Sequence, residues 1–561
     1  MLKSILRHPA CTLLAIYYTI VLMVPNMALC FTESVSAMSR VINILMPLGV
    51  YLLILSAFKR TGWVVWAMLP LSVLAAFQLV LLFLYGGSII AVDMFLNVVT
   101  TNMSEATELL ANLGAAIVVV VVLYLPPLIW ATVTLVRKKT LKRPAAMAMR
   151  FIGGVLFAAS AIMAVVATHV DSDYKVGREV FPVNVMHNIK IAVDRTVAAE
   201  HYGETSAAYK FGSKATHDTA MPEVYVMVIG ETSRAINWQL GGYDRPTNKC
   251  LSCRDGLVFN TRALSESNTT HKSVPMLMSS VRACNFDSIG CVKSIITAFK
   301  EAGYKTAFIS NQAPNHSYTQ FFGEEADMCE YMPDSLGCHS YDHEMLDVVK
   351  RCLADTVSRK QFIVLHSYGS HFKYQERYPA GYGSFKPDEC KEVNQESRQL
   401  LVNSYDNSIE YTDMWLDELM DMLERSGRTA AVVYSSDHGE DILDDSRGRF
   451  LHASPTPTYY QLHVAMLSWV SGKYRDLYPD KYEQLKVHSD VPVSSTASLF
   501  DTMLDLAGID TEHSDLKLSL ASESYTRPDV LYLNDMNKGV DYAHCGLKKR
   551  DIATMNEKSL L

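Results

Sequence analysis

The stretch Val224-Tyr225-Val226-Met227-Val228-Ile229-Gly230-Glu231-Thr232-Ser233-Arg234 decides the fold. It opens with an uncharged run rich in Val and Ile and closed by Gly, a strand too apolar to leave either face in water. Such a strand lies inside a sheet covered on both sides, and this one runs directly into a glutamate. Four other runs share the build: KTAFIS (305–310), FIVLHS (362–367), AAVVYSSD (430–437) and HVAMLSWV (463–470). Amphipathic stretches separate them, among them CVKSIITAFKEAG (291–303) and NSIEYTDMWLDELMDMLERSG (407–427). Apolar strands alternating with helices predict an α/β domain with a mostly parallel central sheet. In such a sheet the polar residues just after the strands converge on one edge, where ligands bind.

The first part of the chain has another character. Apolar runs at about 9–30, 41–58, 63–86, 113–136 and 151–169 each approach the roughly 20 helical residues that cross a hydrocarbon core. The first has no small-residue cleavage site followed by polar sequence, so it reads as a retained helix. Five transmembrane spans are therefore predicted in residues 1–170. A connector over 171–215 follows, with an interfacial or linker helix near 180–197, and then a catalytic domain over 216–561. Lys3, Arg7, Lys59, Arg60, Arg137, Lys138, Lys139, Lys142, Arg143 and Arg150 all fall on one side of this threading. The loop 87–112 carries no Lys or Arg. By the positive-inside rule the N-terminus is cytoplasmic and everything beyond residue 170 is outside.

Cysteine usage fits an oxidising compartment. Nine of the 11 cysteines lie beyond residue 170, several as close neighbours suited to short disulfide loops, and the odd number leaves one unpaired, for which Cys545 stands furthest from the rest. Cys250-x-x-Cys253 lacks the second half that a zinc site of this type needs. The formal net charge of −8 and the absence of a dominant basic patch argue against nucleic acid as a partner.

The residues that follow the strands carry chemistry. Glu231 ends the first, His366-Ser367-Tyr368-Gly369-Ser370-His371 follows the third, and Asp437-His438-Gly439-Glu440 follows the fourth. Two carboxylates and an imidazole at one sheet edge suit Zn²⁺, whose catalytic sites keep a position open for the reacting group; a histidine ligand makes Mg²⁺ or Mn²⁺ less apt. A nucleophile belongs beside such a metal, since coordination lowers the pKa of an alcohol. The hydroxyl-dense segment 265–275 offers Ser265, Ser267, Thr269, Thr270 and Ser273, and composition does not choose among them.

The succession GETSR, TTHKSVP, HSYGSH, SDHGE and a following LH resembles the phosphoethanolamine transferases of the alkaline phosphatase superfamily, the group that includes lipid A-modifying and mobile colistin-resistance enzymes. The resemblance covers nearly the whole chain. It implies a sulfatase-like periplasmic domain, a bacterial inner-membrane location, and transfer of phosphoethanolamine from phosphatidylethanolamine to a lipopolysaccharide acceptor, lipid A or core, by way of a covalent threonine ester; polymyxin resistance goes with that chemistry. The nucleophile of the family lies five residues before the SVP proline, at Thr270. Zinc is held there by Glu231, Thr270, Asp437 and His438. His371 and His452 bind the ethanolamine phosphate, assist proton transfer, or hold a second zinc. Asn97, Thr101 and Glu105 match an N-x-x-x-T-x-x-x-E element that lines the donor-lipid site, and their spacing puts them on one helix face.

One departure concerns a disulfide. Lipid A enzymes often pair a cysteine just after the SVP proline with one nine residues before that proline; here Met276 and Glu266 stand there, and Cys284 with Cys291 is the candidate replacement. That leaves the acceptor open. Rival readings are a phosphoglycerol transferase or phosphatase of the same superfamily, or a catalytically silent membrane sensor or scaffold. A sulfatase activity is disfavoured because the Cys/Ser-x-Pro-x-Arg element is missing: Ser273-Val274-Pro275 continues into Met276-Leu277. A monomer is expected.

Overall fold

The structure, a computed structural model, describes residues 10–33, 36–85, 89–100, 113–170, 174–218, 220–333 and 340–561. They fall into two compact units, one within Met1–Phe95 and Leu109–Asp194, the other within Leu96–Glu108 and Arg195–Leu561.

The first unit is helical: α1 (Ala10–Thr32), α2 (Ala37–Ala57), α3 (Thr61–Ala67), α4 (Leu69–Tyr85), α5 (Val92–Thr100, which runs into the second unit), α6 (Gly114–Val136), α7 (Arg143–Val170) and α8 (Val183–Glu200, likewise shared). Of these, α1, α2, α6 and α7 are each long and apolar enough to cross a membrane. The third expected span is broken: α3 and α4 meet at a 54° bend and make a fifth crossing only if taken together. Pro70, in the first turn of α4, supplies the cause, since it has no N–H to continue the preceding helix and its ring crowds the turn before it. Val118, Val122, Phe151 and Ile162 lie exposed along α6 and α7, as on helices solvated by lipid rather than water. Inside, polar groups find partners. The Asn26 amide donates to Asn43 Oδ1 (3.0 Å), Asn43 O (3.0 Å) and Phe181 O (2.8 Å). Helices α2 and α7 approach so closely that a Cβ on Gly49 would stand 2.8 Å from Gly153 O, the small-residue contact typical of membrane helices.

The second unit is built on a seven-stranded sheet. In chain order its strands are β1 (Glu223–Gly230), β2 (Leu257–Asn260), β3 (Lys305–Ser310), β4 (Met328–Tyr331), β5 (Lys360–His366), β6 (Thr429–Ser436) and β7 (Met466–Val470). In space they lie β2-β7-β6-β1-β5-β3-β4. Only β7 runs against its neighbours, pairing antiparallel with both β2 and β6; the rest of the sheet is parallel. All five expected strands are present, and the sheet is mostly parallel as expected, with β7 alone reversed.

Why the central strands show no alternation is evident from what covers them. Tyr225, Met227 and Ile229 of β1 face one core, with Phe299 of α9 (Ile295–Glu301) and Leu499 of α10 (Ser495–Leu506). Val224, Val226 and Val228 face the other, with Val349 of α11 (Met345–Leu353) and Trp415 and Leu419 of α12 (Arg398–Arg425). Each fully buried Val, Leu or Phe contributes roughly 1.5–3 kcal/mol by removal from water. Every residue of β1, β5 and β6 is buried.

The ten described cysteines are all free thiols, so the expected disulfide loops, Cys284 with Cys291 included, are not formed; Cys338 lies outside the described residues. At Cys250, burial and the neighbouring Asp413 and Asp417 push the thiol pKa up to about 11, which favours the protonated form.

Candidate active site

The carboxyl ends of β1 and β6 are neighbours in the sheet, with Gly230 paired to Ser436. The next residues, Glu231 and Asp437, therefore emerge side by side. The Asp437 amide donates to Gly230 O (3.0 Å), which locks the two turns together. Gly439 lets the chain after β6 pass close to its surroundings, for a Cβ there would stand 2.2 Å from Tyr460 O. Thr270 begins the helix Thr270–Leu277, with Thr269 at its N-cap position, so the nucleophile candidate lies at the positive end of a helix dipole, which favours an anion.

Four predicted residues meet here. Thr270 Oγ1 lies 3.1 Å from His438 Nε2 and 3.4 Å from Glu231 Oε2. His438 Nε2 is 3.2 Å from Asp437 Oδ2 and 3.5 Å from Glu231 Oε1. His438 Nδ1 lies 2.9 Å from Gly439 O and donates to it, which leaves the Nε2 lone pair facing the cluster. Asp437 Oδ1 accepts from the amides of Thr232 (3.1 Å) and His438 (2.7 Å), whereas its buried Oδ2 has no hydrogen-bond donor.

His371 and His452 stand at the same edge. The His452 ring lies 4.1 Å from that of His438 and 6.1 Å from that of His371, centre to centre. Ligand atoms of Glu231, His438 and His452 all fall within 4.8 Å of one another. His452 thus falls within the group that could hold a metal ion, where the resemblance gives it a part in phosphate binding, proton transfer or a second zinc. Its Nδ1 faces Glu440 Oε1 at 3.3 Å, the carboxylate–histidine pairing that orients imidazole ligands. His371 donates from Nδ1 to Phe372 O (2.6 Å).

Electrostatics point to a cation. Burial pushes the Asp437 pKa up, and burial holds Glu440 well above the usual carboxylate range. His438 is pulled down by burial, but Asp437 and Glu231 outweigh that and raise it. Burial takes His371 down to about 4 and His452, also opposed by His438, down to about 3, so both are neutral at pH 7. Three buried carboxyl groups lie beside the neutral His371 and His452, and a positive charge among them would offset the burial penalty on their ionised forms. The donor-free Asp437 Oδ2 and the inward lone pair of His438 fit a divalent ion.

Sequence reasoning missed several contributors. Gln312, after β3, donates from Nε2 to Glu231 Oε2 (3.1 Å) and Ser367 O (2.9 Å). Thr232 donates from Oγ1 to Glu231 Oε1 (2.6 Å). Lys272, almost fully buried, donates to Asn534 O (2.9 Å) and lines a cavity of about 400 Å³ with Arg195, His271, His316, Tyr318 and Met536. The only available signal was their place beside strand ends or beside Thr270. Asn97 Oδ1 lies 3.1 Å from His271 Nδ1, whereas Thr101 and Glu105 lie outside the described residues.

The model of the sulfatase family matches residues 223–509, just over half of the chain. The chain belongs to the sulfatase family. Its stretch of 309 residues is 28% identical to the phosphoethanolamine transferase EptA of Salmonella typhimurium, covering 51% of this chain and 54% of that protein. The chain thus spans about half the length of the curated relatives it matches. The periplasmic domain of EptC from Escherichia coli, solved in complex with zinc, is 25% identical with a TM-score of 0.55, covering 61% of this chain and 98% of that one. The integral membrane phosphoethanolamine transferase EptA of Neisseria meningitidis aligns over 93% of this chain and 99% of its own, with a TM-score of 0.71 and 21% identity, and shares its fold. These relatives meet the resemblance read from the motifs, and the architecture of apolar helices plus a sulfatase-like domain is that of the neisserial protein.

Proposed function

We propose that this chain transfers phosphoethanolamine from phosphatidylethanolamine to a lipopolysaccharide acceptor, lipid A or core, from the periplasmic side of a bacterial inner membrane. The N-terminus is then cytoplasmic, residues 1–170 hold the chain in the membrane and residues 216–561 carry the chemistry. The observation that carries the reading is the hydroxyl of Thr270 at the start of a helix, within 3.5 Å of His438 and both Glu231 oxygens. The names of its relatives support the transferred group.

Zn²⁺, held by Glu231, Thr270, Asp437 and His438 with His452 beside them, would acidify the threonine hydroxyl and balance charge on the phosphoryl oxygens. The chain's residues do the rest. Thr270 Oγ1 attacks phosphorus, the bond to diacylglycerol breaks, and the leaving alkoxide takes up a proton. His371 and His452, neutral at pH 7, orient the phosphate and exchange protons with it. The acceptor oxygen then attacks the same phosphorus, the Thr270 ester bond breaks, and the threonine regains its proton. The positive N-terminal end of the Thr270 helix favours the phosphoryl charge throughout. The cavity bearing Arg195 and Lys272 beside apolar Tyr318 and Met536 suits an anionic, lipid-borne group.

Intact-mass measurement after incubation with phosphatidylethanolamine tests this. A gain of about 123 Da, the phosphoethanolamine ester of an alcohol nucleophile, is expected in the wild type and not in Thr270→Ala. An adduct formed from phosphatidylglycerol instead would favour phosphoglycerol transfer, and none from either lipid in zinc-loaded protein would refute the ester.

A further inference from the structure

We propose that Thr232 is a positioning residue that sets both carboxylates of the metal cluster at once. The inference rests on the reading of Glu231 and Asp437 as metal ligands. Thr232 is fully buried and has a φ of +59°, in the left-handed region that β-branched residues avoid. Glycine or asparagine takes that conformation more easily, so backbone geometry alone does not call for threonine here.

The contacts supply the reason. Thr232 Oγ1 donates to Glu231 Oε1 at 2.6 Å, while its amide donates to Asp437 Oδ1 at 3.1 Å. One residue therefore holds a carboxylate from β1 with its side chain and a carboxylate from β6 with its backbone. The left-handed turn makes this double reach possible, because it folds the amide toward β6. Tyr405 of α12 holds the turn from behind, donating to Thr232 O (2.7 Å) and accepting from the Arg234 amide (3.0 Å). Gln312 occupies the other Glu231 oxygen. Apart from Thr270, which reaches both oxygens at 3.4 and 3.5 Å, Glu231 thus has one neutral donor on each, which fixes its plane.

Such outer partners tune metal affinity by 10–100-fold. Zinc affinity of the purified full-length protein, read by competition with a chromophoric chelator, tests the assignment with no reference to turnover. Thr232→Val, which keeps the shape and loses the donor, is expected to weaken zinc binding by about 10–100-fold. Thr232→Ser is expected to stay within about threefold of wild type, since the hydroxyl alone restores the donor. Thr232→Gly, which relieves the backbone and also lacks the hydroxyl, should weaken binding as Val does. Wild-type affinity in the Val or Gly variant would overturn the proposal, as would a Ser variant as weak as Val. If Val does not fold, the comparison of Ser with Gly decides by the same criteria. Failure of the wild-type protein to bind zinc would refute the metal reading itself, a distinguishable result.

Discussion

At the scale of single residues, threonines carry the site in three different ways. Thr269 stands at the N-cap position of a helix with its hydroxyl on Ser267 Oγ, Thr270 presents its hydroxyl to His438, and Thr232 holds a left-handed turn at a cost of roughly 1–2 kcal/mol. In sequence all three are small hydroxyl residues near a strand end or helix start, and motif likeness alone separated Thr270 from Thr269. Burial also loads individual residues elsewhere. Asp501 accepts from the Asp515 amide (2.7 Å) yet burial raises its pKa to about 7. A carboxyl raised above its unfolded value stabilises the fold while protonated, fully below about pH 4, and loses that contribution as pH climbs toward 7. Denaturation at pH 5 and pH 8 should therefore show a fall, on the order of 2–4 kcal/mol, for wild type relative to Asp501→Asn. Asparagine keeps the acceptor oxygen and cannot ionise. Identical pH slopes for the two proteins would exclude Asp501 as the source.

Among elements, the strand ends matter more than the strands. The β1 and β6 turns are tied by the Asp437 amide on Gly230 O, and the segment after β6 is pressed against Tyr460. Gly439→Ala would place a methyl 2.2 Å from Tyr460 O and 3.1 Å from Arg234 Cβ. Backbone lies on one side of that clash, so the turn must shift and carry His438 with it. The expected cost is about 1–3 kcal/mol of stability together with loss of transfer activity, measured by thermal unfolding and lipid-product analysis. An active, fully stable Gly439→Ala protein would show that the turn has slack. Periodicity located β1, β3, β5, β6 and β7 to within a few residues. It missed β2 (LVFN) and β4 (MCEY), because four residues at a sheet margin carry too little pattern to stand out from loops.

For the molecule as a whole, charge placement is the main constraint. Glu231, Asp437 and Glu440 are each no more than 1% exposed, and the neighbouring His371 and His452 are neutral at pH 7. The folded state holds this cluster more easily with a bound dication, and anything that binds only the folded state stabilises it. Zinc at 100 times its Kd should add about 2.7 kcal/mol, and a chelator should remove it. The readout is the unfolding midpoint of the full-length protein with chelator and after zinc is restored. Glu231→Gln should show little zinc-dependent gain, and an equal gain in both proteins would place the metal elsewhere.

Much was determined by the sequence alone. The length and polarity of the N-terminal runs specified membrane-spanning helices, because a hydrocarbon core admits little else. The unbroken apolarity of residues 224–230 specified a doubly covered sheet, because both faces of that strand must leave water. The tertiary structure decided what depends on distance across the chain. It bent α3 against α4, reversed β7, and drew Glu231 and Asp437, 206 positions apart, to one edge through the pairing of β1 with β6. It also placed Thr232 and Gln312 on Glu231 and Glu440 beside His452, since hydrogen bonds form between atoms within about 3 Å whatever their separation in sequence.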